Sequence, residues 1–222
     1  MTKLVAFDWN GTILADGAAS VRANNKYFPK LGLKPLTLRR YQKTFEIPVI
    51  KYYLNLGLKR KDILHRMQEI EDEYHKHYEI FVNKCRSRAG VRTALMWLKK
   101  NHIDAIIYSN HIVPQIKRHF PRLGLTGLLS HVIARTPGDV SHHHSRGKAQ
   151  KLHDYVRSKK LKAHEVISVG DSEEEIEIGK QYGYHTVALT GGWNTTARLK
   201  KHRPDFLIHN MAELIPVIKK LN

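Results

Sequence analysis

Short apolar segments alternate with amphipathic segments along most of this chain. The apolar segments are four or five residues long and rich in β-branched and aromatic residues, which is typical of buried strands. We expect strands at Lys3–Phe7, Asp104–Tyr108, Ser130–Ala134, Glu165–Val169, Thr186–Leu189 and Asp205–Ile208. The intervening segments predict helices at Val91–Lys100, Pro114–Phe120, Gly147–Ser158, Glu173–Tyr182 and Met211–Lys220. Strands that alternate with helices form right-handed βαβ units, which predicts an α/β fold with a doubly wound parallel sheet.

A helical stretch of about 70 residues, from Gly17 to Arg86, interrupts this alternation. Its clearest pattern is Arg60–Lys84, where apolar and aromatic residues recur at three- and four-residue spacing. The stripe consists of Leu64, Met67, Ile70, Tyr74, His77, Tyr78 and Phe81. We therefore predict two domains: residues 17–86 form an inserted α-helical cap, and residues 1–16 and 87–222 form the α/β core.

Composition and charge narrow the class of protein. The chain has 222 residues, and 41% of them are hydrophobic, which is enough for one sizeable core. The single cysteine, Cys85, can form no bridge within the chain, and no apolar run approaches the ~18 residues that cross a bilayer. We therefore predict a cytoplasmic protein without a membrane span. Lys and Arg outnumber Asp and Glu by 38 to 20, and the resulting net charge of +18 attracts anions such as phosphorylated metabolites and nucleic acid.

Polar and acidic residues follow three of the predicted strands. The first strand runs into Asp8–Thr12, the second into Ser109-Asn110, and the fourth into Gly170-Asp171 and the acidic run Glu173–Glu175. Ligands of open α/β sheets bind beyond the carboxyl ends of the strands, where these residues are expected. An acidic first helical turn also favours the helix dipole, and this accounts for Glu173 and Glu174. Asp171 precedes the helix, so it and Glu175 are the better candidates for binding a cation.

These residues together resemble the haloacid dehalogenase-like superfamily of phosphohydrolases. The resemblance covers nearly the whole chain and rests on four motifs in order: Asp-x-Asn-Gly-Thr at Asp8–Thr12, Ser-Asn at Ser109-Asn110, a lysine at Lys148, and Gly-Asp-Ser-x-x-Glu-Ile from Gly170. The segment at residues 204–214 resembles the phosphoglycolate-phosphatase-like branch, whose small cap domain is also similar to the insertion at residues 17–86. The resemblance implies a Rossmann-like core with a helical cap.

The resemblance also implies a role for each of these residues. Asp8 would be the nucleophile of a phosphatase that forms an aspartyl-phosphate intermediate. Mg²⁺ would be the cofactor, held by Asp8, Asp171 and the backbone carbonyl of Asn10. Glu175 would orient Lys148 or a metal-bound water. The residues that would bind the oxygens of a small phosphorylated substrate are Ser109, Asn110 and Lys148, with Lys151 as the neighbouring alternative to Lys148.

Asn10 departs from the family's pattern. The family's phosphatases have a second aspartate there, which protonates the leaving oxygen and later takes a proton from the attacking water. An amide cannot exchange a proton at neutral pH, and loss of general acid–base catalysis costs roughly 10²–10⁴-fold in rate. Three interpretations stay open: a weakened phosphohydrolase whose substrate has a good leaving group, an impaired protein that binds a phosphorylated ligand or nucleic acid, and a member of the dehalogenase or phosphonate-cleaving branches. The acidic cluster disfavours the third, because expelling a halide needs no metal.

Three other segments have candidate binding residues. The segment His142-His143-His144 is better explained as a polar loop, because three adjacent histidines cannot all converge on one ion. Trp193, which follows two glycines, is placed to stack on a base or to pack against its neighbours. The first half of the cap mixes basic and aromatic residues, a pattern of single-strand binding and equally of amphipathic helices. They are Arg22, Lys26, Lys30, Arg39, Arg40 and Lys43, with Tyr27, Phe28, Tyr41 and Phe45.

Overall fold

Six parallel strands form the single sheet of the computed structural model, which describes residues 1–136 and 147–222. The strands are β1 Leu4–Phe7, β2 Asp104–Ile112, β3 His131–Arg135, β4 Val166–Gly170, β5 His185–Leu189 and β6 Phe206–Ile208. Their order across the sheet is β3-β2-β1-β4-β5-β6, with every neighbouring pair parallel. The predicted α/β fold with a parallel sheet is confirmed.

Both faces of the sheet are covered, as the alternation along the central strand shows. Val5 and Phe7 of β1 join one apolar cluster, whereas Leu4 and Ala6 join another on the opposite face. The helices that follow the cap are α5 Val91–Lys100, α6 Val113–Lys117, α7 Phe120–Leu123, α8 Lys148–Ser158, α9 Glu173–Tyr182, α10 Thr196–Lys201 and α11 Leu214–Leu221. The predicted helix at Pro114–Phe120 is therefore two short helices, and α10 has no counterpart among the predicted helices.

Four α-helices lie within residues 17–86, which we call the cap. They are α1 Gly17–Tyr27, α2 Leu38–Thr44, α3 Val49–Asn55 and α4 Arg60–Val82. Helix α4 connects two apolar clusters, because Ile63, Met67 and Ile70 pack within the cap while Tyr78 and Val82 pack with the core. The division into two domains at residues 16 and 86 stays a prediction.

The predicted stripe along α4 is wrong at its first position. Leu64 is 46% exposed, whereas Ile63 is fully buried. The first half of α4 packs against the cap cluster and the second half against the core cluster. Ile63 belongs to the face that packs against the cap cluster, whereas Leu64 lies outside that face. The stripe's other members are buried or half-buried.

Strand β2 extends further than the sequence pattern indicates. It continues through Ser109-Asn110 to Ile112, with a shift in its pairing to β3 between Tyr108 and Ile112. Such an irregularity turns side chains out of the regular alternation. Because β2 and β4 lie on either side of β1, the residues after all three strands meet at one edge of the sheet. Within the residues that the structure describes, no helix is both long and apolar enough to cross a membrane.

Candidate active site

Asp8 and Lys148 form a buried ion pair at the carboxyl edge of the sheet. Lys148 is the first residue of α8, and its Nζ lies 2.9 Å from Asp8 Oδ1. A lysine in a first helical turn opposes the helix dipole, and this one is only 4% exposed, so its placement depends on the carboxylates around it. Burial raises the pKa of Asp8 well above its usual range, with Lys148 opposing the shift.

Two glutamates also contact Lys148. Glu174 Oε2 lies 3.1 Å from Lys148 Nζ, and Glu175 Oε1 is in closer contact with it. Ser172 caps α9 and donates its backbone N–H to Glu175 Oε2 at 3.1 Å, which fixes where the helix begins. Burial alone lowers the pKa of Lys148, but Asp8 and the two glutamates raise it well above its usual range. Lys148 therefore stays a cation.

Glu174 is a site residue that the sequence analysis did not identify. The helix dipole accounts for an acidic residue there, yet the side chain points into the site and also accepts a hydrogen bond from Asn110 Nδ2 at 2.9 Å. The signal available in the sequence was the capping pair Ser172 and Glu175, since that pair sets the phase of α9. With that phase, two adjacent glutamates both reach Lys148.

Asp171 lies beside Asp8 with each of its carboxylate oxygens hydrogen-bonded. Thr12 Oγ1 donates to Oδ1 at 2.6 Å, and the backbone N–H of Trp193 donates to Oδ2. Burial and the charge of Glu175 raise the pKa of Asp171 to about 7, with the Thr12 and Trp193 donors opposing the shift. Gly192 lets the loop approach this closely, because a Cβ there would lie 2.1 Å from Asp171 Oδ2.

Asn10 is bound into a buried network that faces the cap. Its Nδ2 donates to Asp16 Oδ2 at 2.7 Å and to Tyr78 OH at 2.8 Å, and Tyr78 itself donates to Asp16 Oδ2 at 2.6 Å. Gly11 N and Trp193 Nε1 donate to the other oxygen of Asp16, at 2.7 and 3.0 Å. Asp16 therefore joins the loop after β1, helix α4 and the loop that contains Trp193.

The remaining predicted residues are placed as follows. Ser109 is buried on the cavity wall, and its Oγ accepts the backbone N–H of His111 at 3.2 Å. Asn110 reaches Glu174, as described above. Lys151 is exposed on α8, whereas Lys148 is buried beside Asp8. The segment His142-His143-His144 lies outside the described residues.

The donors at this edge fit Mg²⁺ chemically. Asp8 and Asp171 supply hard carboxylate oxygens, and the charge of Asp171 is one cause that raises the pKa of Asp8. A carboxylate oxygen that accepts one hydrogen bond still has a lone pair for a cation. The part of the chain that the structure describes contains no group of three or more His, Cys, Asp or Glu arranged to hold a metal. Asp8 and Asp171 are two carboxylates whose oxygens would suit a divalent cation.

A cavity of about 140 Å³ extends from these residues to the cap. Its core end contains Asp8, Ser109, Lys148 and Asp171. Its cap end is mostly aromatic and apolar, with Tyr41, Phe45, Tyr52, Tyr53, Met67, Ile70 and Trp193 on the wall. Trp193 packs edge-on against Phe45 at a ring distance of 4.6 Å and against Tyr41 at 5.6 Å, so it belongs to this wall.

The basic residues of the cap are exposed, but the aromatic residues between them are not. Arg22, Lys26, Lys30, Arg39, Arg40 and Lys43 all lie on the surface. Tyr27, Phe28, Tyr41 and Phe45 are buried in the cap's apolar cluster, so they cannot stack on a strand bound outside. The amphipathic interpretation of this mixed pattern is therefore the one that the packing supports.

Comparison with known proteins places these features in a family. A model of the haloacid dehalogenase-like hydrolases matches residues 5–189. The chain is 24% identical to a phosphoglycolate phosphatase of Synechococcus elongatus, over 99% of this chain and 98% of that protein. It is 23% identical to the pyrophosphatase PpaX of Bacillus cereus, over 98% and 97% of the two chains. A haloacid dehalogenase-like hydrolase of solved structure from Streptococcus pneumoniae has a TM-score of 0.79 at 17% identity, with 98% of each chain covered, and shares the fold.

Proposed function

The chain belongs to the haloacid dehalogenase-like hydrolase family, and we propose on that premise that it is a Mg²⁺-dependent phosphohydrolase. Its substrate would be a small phosphorylated molecule, and its reaction would pass through an aspartyl-phosphate at Asp8. The observation that carries the proposal is the buried Asp8–Lys148 pair with Asp171 beside it at the carboxyl edge of the sheet. The names of two relatives, a phosphoglycolate phosphatase and a pyrophosphatase, support the same class of reaction.

In the proposed reaction a carboxylate oxygen of Asp8 attacks phosphorus. The bond between phosphorus and the leaving-group oxygen breaks, and that oxygen keeps the electron pair. Water then attacks the acyl phosphate, which releases inorganic phosphate and restores the Asp8 carboxylate. Lys148 Nζ, which lies 2.9 Å from Asp8 Oδ1, would donate hydrogen bonds to the transferring phosphoryl oxygens, and Ser109 on the same wall would be a second donor.

Asp8, Asp171 and the backbone carbonyl of Asn10 would hold the metal. When bound, Mg²⁺ supplies positive charge that masks the repulsion between these carboxylates and an incoming phosphate. Glu175 would be a positioning residue, because its Oε1 contacts Lys148 while its Oε2 is held by the backbone N–H and the hydroxyl of Ser172. Glu174 would assist it by holding the same ammonium group.

Asn10 restricts the substrates that such a site turns over. Its amide is held by Asp16 and Tyr78 and has no proton to give to a leaving oxygen. The leaving groups of acyl phosphates, phosphate anhydrides and aryl phosphates are stable anions and depart without being protonated. The alkoxide that leaves an alkyl phosphate needs a proton from a general acid. We therefore expect measurable turnover of the first group and slow turnover of alkyl esters, by about 10²-fold or more.

Phosphate release with Mg²⁺ from acetyl phosphate, phenyl phosphate and benzyl phosphate tests this proposal. Asp8→Asn should abolish release, whereas the matched control Asp72→Asn, at an exposed position on α4, should not change it. Reduction with borohydride during turnover, followed by mass spectrometry, should mark Asp8 as the residue that forms the acyl phosphate. Failure of the wild type to release phosphate from both acetyl and phenyl phosphate would refute it.

A second candidate function follows from the same asparagine. Without a general acid, the site would bind a phosphorylated ligand or nucleic acid and turn nothing over. Inorganic phosphate binding that requires Lys148, with no release from any activated substrate, would support it. For nucleic acid, oligonucleotide affinity should fall steeply with salt and weaken when the exposed residues Arg39, Arg40 and Lys43 are reversed to glutamate.

A further inference from the structure

The cavity above Asp8 has two chemically different ends. The core end combines carboxylates with Lys148, which suits a phosphoryl group. At the cap end, Phe45, Tyr52 and Trp193 turn their rings into one wall, with Tyr41 completing the cluster at ring distances of 4.6–5.6 Å. Aromatic walls of this kind bind flat rings by stacked and edge-on contacts. A substrate that spans the cavity therefore places its phosphoryl group at one end and a ring at the other.

The described residues of the cap supply no lysine or arginine for a second anionic group. Those on the cavity wall include an acid, Glu71, and His75, whose Nε2 lies 3.5 Å from Glu71 Oε1. Arg135, which lines the flank from β3, lies 3.4 Å from Glu71 Oε1, so that its charge is matched there. The faces of aromatic rings carry partial negative charge, which opposes a carboxylate. A substrate with a free carboxylate beyond its phosphate is therefore poorly suited to this cavity.

The hydroxyl of Tyr52 is a polar group that is buried without a partner in the part of the chain that the structure describes. The side chain is 2% exposed and lines the cavity. Burial raises the pKa of Tyr52 well above its usual range, so it stays a neutral hydroxyl. Buried hydroxyls are normally hydrogen-bonded, but this oxygen is closed off from the cavity, so Tyr52 contributes its ring and not its hydroxyl to the wall.

The volume limits the substrate to at most a single ring. The whole cavity, with both its ends, measures about 140 Å³, and apolar cavities of about 150 Å³ bind one benzene molecule. Asn10 points to the same class from a separate observation, since an aryl oxygen leaves with little protonation. We propose that the substrate is a phosphate monoester of a single aromatic or heteroaromatic ring with no second negative charge. This inference rests on the proposed function, because it names the substrate of that site.

Binding of phosphonates tests the ring subsite without requiring turnover, because their carbon–phosphorus bond is not hydrolysed at such a site. Calorimetry on the wild type with Mg²⁺ should show phenylphosphonate binding about 10-fold or more tighter than methylphosphonate. Phosphonoacetate, which carries a second anion, should bind no tighter than methylphosphonate. The inference is overturned if phenylphosphonate binds less than about 10-fold tighter than methylphosphonate, or if phosphonoacetate binds tighter than methylphosphonate.

A substitution in the aromatic wall locates the effect. Phe45→Leu keeps an apolar side chain and should lower the phenyl-to-methyl ratio at least about 3-fold without changing methylphosphonate affinity. The control Leu64→Ala, on an exposed face of α4, should change neither. An unchanged ratio in a folded Phe45→Leu overturns the assignment to this wall, and the wild-type ratio decides the inference if the variant does not fold.

The same ligands separate the ring inference from the proposed function. If acetyl phosphate is hydrolysed but phenylphosphonate binds no better than methylphosphonate, the protein is a phosphohydrolase with a different substrate. If phenylphosphonate binds tightly but no activated phosphate is hydrolysed, the ring subsite stands and the proposed reaction fails.

Discussion

Replacing Asn10 by aspartate tests how the loop after β1 is joined to the cap. Asn10 Nδ2 donates to Asp16 Oδ2 at 2.7 Å and to Tyr78 OH at 2.8 Å. A carboxylate introduced at position 10 loses both donors and brings a second negative group against buried Asp16. The change that restores the family's general acid is therefore expected to destabilise this protein.

The size of the loss follows from these contacts. Leaving a buried partner without its hydrogen bond costs about 1–3 kcal/mol. Two carboxylates about 4 Å apart repel by about 4 kcal/mol at an effective dielectric constant of about 20, and proton uptake by the pair relieves part of this. We expect the free energy of unfolding of Asn10→Asp to fall by about 3 kcal/mol.

Combining Asn10→Asp with Asp16→Asn exchanges the amide and the carboxylate. The amide at position 16 keeps an oxygen for Gly11 N and Trp193 Nε1, and its NH₂ faces the carboxylate at position 10. Tyr78 then donates to position 10 instead of position 16. Every donor keeps an acceptor, so most of the stability should return. Benzyl phosphate turnover should rise about 10²-fold or more, because a general acid is restored.

Urea unfolding of the wild type, both single variants and the double variant measures the coupling between the two positions. We expect a coupling energy of at least about 2 kcal/mol. If Asn10→Asp is as stable as the wild type, the two contacts of the amide are not stabilising. If the double variant is no more stable than Asn10→Asp, the exchange of hydrogen bonds does not occur.

Three other groups have effects that denaturation can measure. Mg²⁺ should raise the Tm of the wild type much more than that of Asp171→Ala, because a ligand of the folded state stabilises it, and equal shifts would remove Asp171 from the metal site. Burial, with the charges of Arg122 and Arg118, lowers the pKa of His119 to about 4. The unfolded histidine has a pKa of about 6.5, so below that pH the unfolded chain takes up a proton that the folded chain does not. The free energy of unfolding therefore decreases as the pH is lowered from 7 toward 4. From pH 7 to pH 5 the wild type should lose about 1–2 kcal/mol more in urea unfolding than His119→Gln, and parallel profiles would contradict this. Tyr52→Phe should leave the free energy of unfolding unchanged or raise it by about 1 kcal/mol, because the hydroxyl has no partner among the described residues, whereas a clear loss would show that it has one.

The meeting of Asp8, Ser109 and Asp171 could be predicted from the sequence because it depends on a simple geometric rule. Each residue follows a buried strand, and the carboxyl ends of parallel strands lie at one edge of a sheet. The rule needs only the strand positions, which short apolar runs reveal well. The rule still gave the correct edge of the sheet although β2 continues four residues beyond its predicted end at Tyr108.

Asp16 and Glu174 could not be assigned in the same way because their roles depend on packing. Asp16 stands in a loop without a motif, and its partners include Tyr78, 62 residues away, and Trp193, 177 residues away. Glu174 sits where the helix dipole already favours an acid, so its residue type carries no further information. Glu174 contacts Lys148 only because α9 begins where it does and because Lys148 is buried beside it.

The position of Asn10 links catalysis to the joining of cap and core. The Asn10 amide donates its two hydrogens to Asp16 and Tyr78. Asp16 also accepts a hydrogen bond from Trp193, which forms part of the cavity wall. The amide of Asn10 therefore helps to hold the cavity wall in position, but it has no proton to donate to a leaving group. The part of the wall that Trp193 belongs to is aromatic, which suits ring-bearing substrates. An aryl oxygen is a leaving group that does not need that proton. The loss of the acid and the shape of the cavity therefore favour the same class of substrate.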